Sequence, residues 1–467
     1  MRIHPLKLAA ALLLSAMGTA GAQDLLLKGV NIVDVDLGEI VAARTVLVSD
    51  GRIEAIAPDA APPASPGAMV IDARGRYLMP ALWDMHVHPD HEEDLALFVA
   101  NGVGGVRIMA GTPQHLAWRA AIELGEKAGP RLLVAGPIVE GLPPPELANV
   151  VATEDRRLIK TAEEGAVEVR RQKAAGFDYI KVYNNIPLEA YRGLVAEAAR
   201  LRIPVVGHVP FQAGLSGVLA ARQASIEHLR GYVEKLVPPD APVQPGIDLR
   251  SRTLAWEYAD SAWVAEVVRA TRAAGVWQCP TLSTRIYHEP TSAIERYLAT
   301  PEAEYLDAYS RVVLRHRERT KWLSNFSEAD FERAGRGNEK QNELLRAMQA
   351  AGVPLLAGTD TMGYGFALHG ELERLVAAGL TPRDVLPTAT INPARFAGLE
   401  AEVGRVAVGY AADLVLLDAN PLADIRNTRK INAVILRGRL LDRAALDGML
   451  AKVKAQHAAR SKSSGKE

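Results

Sequence analysis

Five short apolar runs, each ending in a side chain able to hold a metal ion, constrain this chain more than any other feature. They are Leu78-Met-Pro-Ala-Leu-Trp-Asp-Met-His86-Val-His88-Pro, Phe177-Asp-Tyr-Ile-Lys181-Val-Tyr, Ile203-Pro-Val-Val-Gly-His208-Val-Pro, Ala224-Ser-Ile-Glu-His228-Leu and Val353-Pro-Leu-Leu-Ala-Gly-Thr-Asp360-Thr. Side chains alternate across a strand, so His86 and His88 leave the same face and can hold one ion together. Taken alone, a His-x-His pair on a strand is more often two ordinary polar residues than a pair of ligands. Most of the runs follow segments of helical period, such as 162–175 and 188–202, and alternating helix and buried strand means parallel βα units. In a closed (β/α)8 barrel the C-terminal strand ends meet at one rim, where active sites are built. His86, His88, Lys181, His208, His228 and Asp360, far apart in sequence, would then share one site.

The order His-x-His, Lys, His, His, Asp on successive strands resembles the amidohydrolase superfamily, in its binuclear subtype with a carboxylated lysine. Within it, the prolidase and imidazolonepropionase-related branch is the most similar. Accessory motifs match over nearly the whole chain. Gly51-Arg-Ile-Glu-Ala-Ile resembles the family's N-terminal sandwich hairpin, and Thr390-Ile-Asn392-Pro393-Ala394 its helix after the last barrel strand. The stretch from Gly404 through Gly409, Ala412 and Asp413 to Asp418 resembles the return into the sandwich.

The expected fold is therefore α/β, a (β/α)8 TIM barrel inserted into a small β-sandwich built from both chain ends. The length of 467 residues accommodates both. Residues 1–22 read as a signal peptide: Arg2 and Lys7 precede an apolar run, and Ala20-Gly21-Ala22 offers a small-x-small cleavage site. Residues 23–79 alternate as the first half of the sandwich, 80–403 form the barrel, 404–445 the second half, and 446–467 a C-terminal helix and tail. From Ala459 onward the Ser/Lys-rich composition predicts disorder. These features place the protein in the periplasm or outside the cell, with no membrane span in the mature chain.

Composition narrows the function classes. Hydrophobic residues are 48% and charged residues 23%, the balance of a soluble globular protein, and a formal net charge of -1 suggests neither nucleic acid nor an anionic membrane surface as a partner, leaving a small-molecule substrate. A homo-oligomer is compatible with it. Cys279 is the sole cysteine, so no intrachain disulfide forms, and with no base positioned beside it the thiol reads as a buried structural group on the seventh strand.

The resemblance implies two divalent ions, Zn²⁺ by donor type. His86, His88 and Asp360 would hold the more buried one and His208 and His228 the second, with Lys181 converted to N6-carboxylysine as a bridge. Burial among cations would depress the lysine pKa and expose the neutral amine that reacts with carbon dioxide. A one-metal site without the carbamate is the alternative. Two metals sharing a water bring its pKa toward neutrality and yield a hydroxide nucleophile, and Asp360 can take its proton and return it to the leaving nitrogen. Tyr183, two positions past Lys181 on the same strand face, could donate to the substrate carbonyl. Tyr232, His91 and His369 are further candidates for substrate contact, and Arg107 on the second strand for pinning a carboxylate. The expected activity is cleavage of a C–N bond, amide or peptide, in a dipeptide or N-acyl amino acid. Alternatives on the same site are cyclic amides, lactones or phosphotriesters, and a binding protein that has lost its chemistry. Residues 283–349, with helical stretches at 291–298 and 303–321 and a turn-like charged stretch at 325–339, form either a lid or extra outer helices.

Overall fold

The computed structural model describes residues 23–142, 153–306, 308–317 and 323–464; the expected signal peptide lies outside them. In chain order the strands are β1 (Leu25–Asp34), β2 (Glu39–Ser49), β3 (Arg52–Pro58), β4 (Met69–Asp72), β5 (Tyr77–Pro80), β6 (Leu82–Val87), β7 (Val103–Ile108), β8 (Arg131–Val134), β9 (Ile138–Glu140), β10 (Arg156–Leu158), β11 (Ile180–Val182), β12 (Val205–Gly207), β13 (Ser225–Glu227), β14 (Trp277–Cys279), β15 (Leu414–Leu417), β16 (Ile431–Leu436) and β17 (Arg439–Asp442).

The two chain ends meet in one sheet of order β17-β16-β15-β5-β1-β2-β3, with β4 beside β1. Antiparallel pairing of β5 with β15, Leu78 opposite Leu416, joins the N-terminal strands to the C-terminal ones. The sheet also rolls on itself: Ile53 N donates to Tyr410 O and Gly409 N to Ile53 O, both at 2.8 Å, tying the edge strand β3 to the segment before β15. Strand alternation then sorts the side chains. Leu78, Leu414 and Leu416 enter the sheet's own core, while their neighbours Met79, Val415 and Leu417 enter the core of the βα region.

The βα region is a TIM-barrel-type α/β fold. Its parallel strands fall into two sheets, β6-β7-β8 and β10-β9-β11-β12-β13-β14. Backbone hydrogen bonds join them at both seams. Between β8 and β11, Asp178 N donates to Val134 O at 2.8 Å and Gly136 N to Tyr179 O at 2.9 Å. On the other side, the extended stretch 354–360 lies between β14 and β6, through Leu356 N to Gln278 O (2.8 Å), Met85 N to Ala357 O (2.9 Å) and Asp360 N to His86 O (2.8 Å). The outer helices Ala162–Ala175 and Leu188–Leu201 form where the periodicity places them. Thr161 caps the first by accepting from Glu164 N, and Gly176 ends it at φ 91.

Two expectations are corrected. The charged stretch 325–339 is not a turn region; it opens the helix Glu328–Ala350, started by a reciprocal capping box between Ser327 and Asp330. Gly337 lies inside this helix and is needed for packing, since a Cβ there would meet Trp256 Cβ at 2.9 Å. The rest of that segment forms the helices Thr291–Leu298 and Ala308–Arg315, with 3-10 turns at Leu282–His288 and Pro301–Tyr305. The expected disorder from Ala459 is likewise wrong as far as Ser464, where the helix Arg443–Ser464 ends. His457 Nε2 to Asp94 Oδ1 (2.8 Å) and Arg460 to Glu93 Oε1 (2.9 Å) anchor that helix on the turn Glu92–Asp94.

Candidate metal centre

His86 lies on β6 and Lys181 on β11, while His88, His208 and His228 follow β6, β12 and β13 within a few residues and Asp360 ends the extended stretch 354–360. The structure brings them together at one end of the parallel strands. Asp360 Oδ1 lies 3.2 Å from His88 Nε2 and 3.5 Å from His86 Nε2, and its Oδ2 lies 3.4 Å from His228 Nε2. The ring of His228 is centred 4.9 Å from that of His86 and 5.0 Å from that of His208. Lys181 is buried beneath them.

Local backbone makes this possible. His228, Thr281 and Asp360 adopt left-handed φ values of 59°, 50° and 45°, conformations that cost non-glycine residues energy and concentrate at functional sites. Gly207, at φ 124, lets the chain turn before His208: a Cβ there would lie 2.3 Å from Val182 O and 2.9 Å from Lys181 Cδ. Gly358 gives the last strand its approach to His86, since a Cβ would lie 2.5 Å from Cys279 Sγ and 2.9 Å from His86 N.

Each deeper histidine has its Nδ1 engaged, and those of His86 and His228 turn Nε2 toward Asp360. His86 Nδ1 donates to Glu227 Oε2 at 2.9 Å and His208 Nδ1 to Asn184 Oδ1 at 2.8 Å. The Thr281 hydroxyl spends its proton on Pro280 O, so its oxygen accepts from His228 Nδ1 at 2.5 Å. Fixing one ring nitrogen sets the tautomer and aims the other lone pair, as metal-ligating histidines require. Burial pushes the His86 imidazole down to about 4 and those of His208 and His228 well below their usual range, so all three are neutral at pH 7. Burial likewise brings the Lys181 amine down to about 8, although Glu227 and Asp360 pull it upward. Burial alone would raise the Asp360 carboxyl, but a proton on the neighbouring His86 or His228 ring and a hydrogen bond from His88 pull it the other way, and the net shift is downward. One ligand atom each from His86, His228 and Asp360 lies within 4.8 Å of the others. Neutral imidazoles, a carboxylate and an amine that gives up its proton near pH 8 on one pocket floor suit divalent cations.

The Amidohydrolase family model matches residues 77–441. The chain belongs to that family. Among curated amidohydrolases it is 25% identical to adenine deaminase 3 of Rhizobium meliloti over 91% of this chain and 59% of that one. It is 24% identical to the imidazolonepropionase of Rubrobacter xylanophilus, over 82% and 87%. This chain thus spans little more than half the length of that deaminase. Among solved structures, a bottromycin amidohydrolase is 26% identical with a TM-score of 0.71, covering 92% of this chain and 90% of that one. A Bifidobacterium longum structure assigned to a prolidase is 24% identical with a TM-score of 0.67, covering 92% and 99%, and shares the fold.

Several candidates fall elsewhere in this amidohydrolase. Tyr232 is fully buried and its hydroxyl bonds to Thr271 Oγ1 at 2.9 Å, pointing into the helix Val264–Ala274 instead of the mouth. His369 is buried between Thr428 Oγ1 (2.9 Å) and Asn101 O (3.1 Å), a structural tie behind the strands. His91 precedes the turn Glu92–Asp94 and does not line the cavity. Arg107 cannot reach a substrate: it is fully buried and donates to Met85 O (2.7 Å), Ser225 Oγ (3.0 Å) and Glu227 (3.0 and 3.1 Å). Tyr183 does line the cavity, its ring stacked on His208 at 4.0 Å between centroids.

Sequence reasoning missed Glu227 and Asp84. Burial would raise the Glu227 carboxyl, but the Arg107 guanidinium overrides it and keeps the acceptor of His86 ionised. Asp84 is pushed up to about 7 by burial and accepts from Thr359 N (3.0 Å) and Thr359 Oγ1 (2.8 Å), which fastens the residue before Asp360 to β6. Both acidic residues stand in otherwise apolar strands, and that was the available signal. Above the floor opens a cavity of ≈660 Å³, the size of a small-molecule site.

Proposed function

We propose that this chain is a metal-dependent hydrolase that cleaves a C–N bond, amide or peptide, of a small substrate such as a dipeptide or N-acyl amino acid. The observation that carries this reading is the pair of neutral imidazoles, His86 and His228, whose Nε2 atoms face the Asp360 carboxylate while their Nδ1 atoms are engaged, with the buried His208 ring packed beside His228. The two parallel sheets and their hydrogen-bonded seams are read as a closed (β/α)8 barrel, whose C-terminal rim is where such a site belongs. His86, His88 and Asp360 would hold one divalent ion and His208 and His228 a second, zinc by donor type, with a carboxylated Lys181 between them. When bound, these ions supply Lewis acidity that polarises a carbonyl and acidifies water.

The chain's own residues do the rest. Asp360 accepts a proton on the attacking side and releases it to the leaving nitrogen. Tyr183 presents its hydroxyl to the cavity, where it donates to the carbonyl oxygen as negative charge develops. The lowered basicity of Lys181 makes the neutral amine accessible for carboxylation near pH 8. Export through residues 1–22, to the periplasm or beyond, belongs to the same reading. The test is a panel of dipeptides, N-acyl amino acids, lactones and phosphotriesters, assayed with added zinc alongside metal analysis of the purified protein. Hydrolysis of amides with about two equivalents of metal supports the reading; turnover confined to lactones or phosphotriesters, or a protein that holds no metal, sinks it.

A further inference from the structure

The cavity wall carries buried nitrogen atoms that no protein atom satisfies. Among the described residues, Nε of Arg230, Arg252 and Arg285 and Nε2 of His288 are buried without a hydrogen-bond partner. All four side chains line the cavity above Asp360. Buried polar atoms are ordinarily paired, and three guanidinium Nε–H donors and one imidazole nitrogen left unpaired around one cavity point to polar atoms that a ligand brings.

The three guanidinium groups are not equivalent. Arg252 donates to Gly246 O at 3.2 Å and to Ile247 O, and lies 5.1 Å from the centre of the Phe211 ring. Arg285 donates to Asn342 Oδ1 at 2.9 Å and Gln341 Oε1 at 3.1 Å. Arg230 makes no side-chain hydrogen bond and no ion pair among the described residues. Besides Asp360, the carboxylates on the lining are Asp90 and Glu234. Among the described residues neither forms an ion pair with Arg230.

The backbone fixes where Arg230 stands. His228 and Leu229 are left-handed at φ 59° and 52°, Gly231 follows at φ 84°, and Arg230 N donates to Glu227 O at 3.1 Å. A Cβ at Gly231 would lie 3.0 Å from Val209, so the turn is packed against β12's exit. A tightly wound turn two residues past His228 thus holds the guanidinium at the edge of the metal centre, close enough for its charge to act on His208, His228 and Tyr183.

We propose that Arg230 binds a carboxylate at one end of the substrate, so that this chain selects N-acyl amino acids or dipeptides with a free C-terminal carboxylate. The proposal rests on the C–N hydrolase reading above. A guanidinium fork matches carboxylate geometry with two parallel charge-assisted hydrogen bonds, more specific than a point charge. Beside it, Leu229, Leu249, Trp256, Leu282 and Met362 offer apolar wall to the side chain of the residue that bears the carboxylate.

Calorimetry on the metal-loaded full chain carrying Asp360→Asn, which slows turnover, tests this with a panel of N-acetyl amino acids and their C-terminal carboxamides. At least one acid is expected to bind about ten- to a hundredfold tighter than its carboxamide. Adding Arg230→Gln should erase that preference while leaving carboxamide affinity within about twofold, and Arg230→Lys should keep part of it. Should the Gln variant fail to fold, the Lys variant carries the test through a preference reduced about fivefold. Acids that bind no tighter than their carboxamides, or a preference that survives Arg230 substitution in a folded protein, overturn the assignment. Turnover of the same panel by the unsubstituted protein judges the hydrolase reading separately: a carboxylate preference without hydrolysis would keep the Arg230 site and sink the hydrolase.

Discussion

On the floor of the cavity His86, His208 and His228 each commit Nδ1 to an acceptor, Glu227, Asn184 and Thr281. On the wall a few residues away, Arg230, Arg252, Arg285 and His288 keep buried nitrogens with no acceptor. The difference follows from what each surface receives. An ion has no hydrogen-bonding groups of its own, so the protein must fix every ligand in advance, down to tautomer and ring orientation. An organic substrate brings acceptors, so the wall can leave donors open until it arrives. Preorganisation below and unmet donors above are the two halves of one binding problem.

The largest expected effect breaks the floor at its centre. Asp360→Asn should lower kcat by about a thousandfold or more while leaving at least one metal bound, because the amide can coordinate through oxygen but cannot accept a proton. Kinetics with a metal count decide it; near-normal kcat would move the proton to another group. Lys181→Ala should act differently, since on the proposed reading it would remove an anionic bridge and not the base. The expected outcome is loss of about one equivalent of metal with activity, and partial recovery in added acetate or formate. Full metal content in that variant would show that the floor does not need Lys181.

Glu227→Gln tests whether the floor depends on its support from below. The Gln side chain can accept from Arg107 through its oxygen, but its amide then faces His86 Nδ1, donor against donor, and the Arg107 charge is left buried without an anion. We expect a stability loss of about 3–5 kcal/mol in denaturant melts. Zinc affinity should fall roughly 10- to 100-fold, read by competition with a chelator. Unchanged affinity beside lost stability would make Glu227 a partner of Arg107 alone.

How legible these features were in the sequence follows the same division. The candidate metal-centre residues stood out in the sequence because each ends a short apolar run, and parallel strands gather their ends at one edge however far apart they are in sequence. Their supports were less so: Glu227 looks like one more polar residue before a histidine, and nothing in sequence says that Arg107 reaches across from β7 to meet it. The wall was not readable, because Arg230 sits on a turn whose left-handed residues carry no glycine signal at 228 and 229, and Arg285 and His288 lie in a long segment positioned only by tertiary packing. Tyr232 and His369 misled for a related reason, since proximity in sequence to a ligand or a strand end does not fix which way a side chain points. The turn-like reading of 325–339 failed where Ser327, Asp330 and the buried Phe331 outweigh two glycines.

The smallest expected effect sharpens the wall. Burial, followed by the charges of Arg230 and Arg317, lowers the His288 imidazole to about 4, so the folded protein refuses a proton that the unfolded chain takes up near pH 6.5. Between those values the unfolded state binds more protons, so stability must fall as pH drops through that interval and is fully present above it. His288→Gln removes the linkage, and its stability curve should be shallower than that of the unsubstituted protein by about 2 kcal/mol between pH 6.5 and 4, measured by denaturant melts. Superimposable pH slopes for the two proteins would mean that His288 is solvated in solution, and the contrast between an engaged floor and an unmet wall would then rest on the three arginines alone.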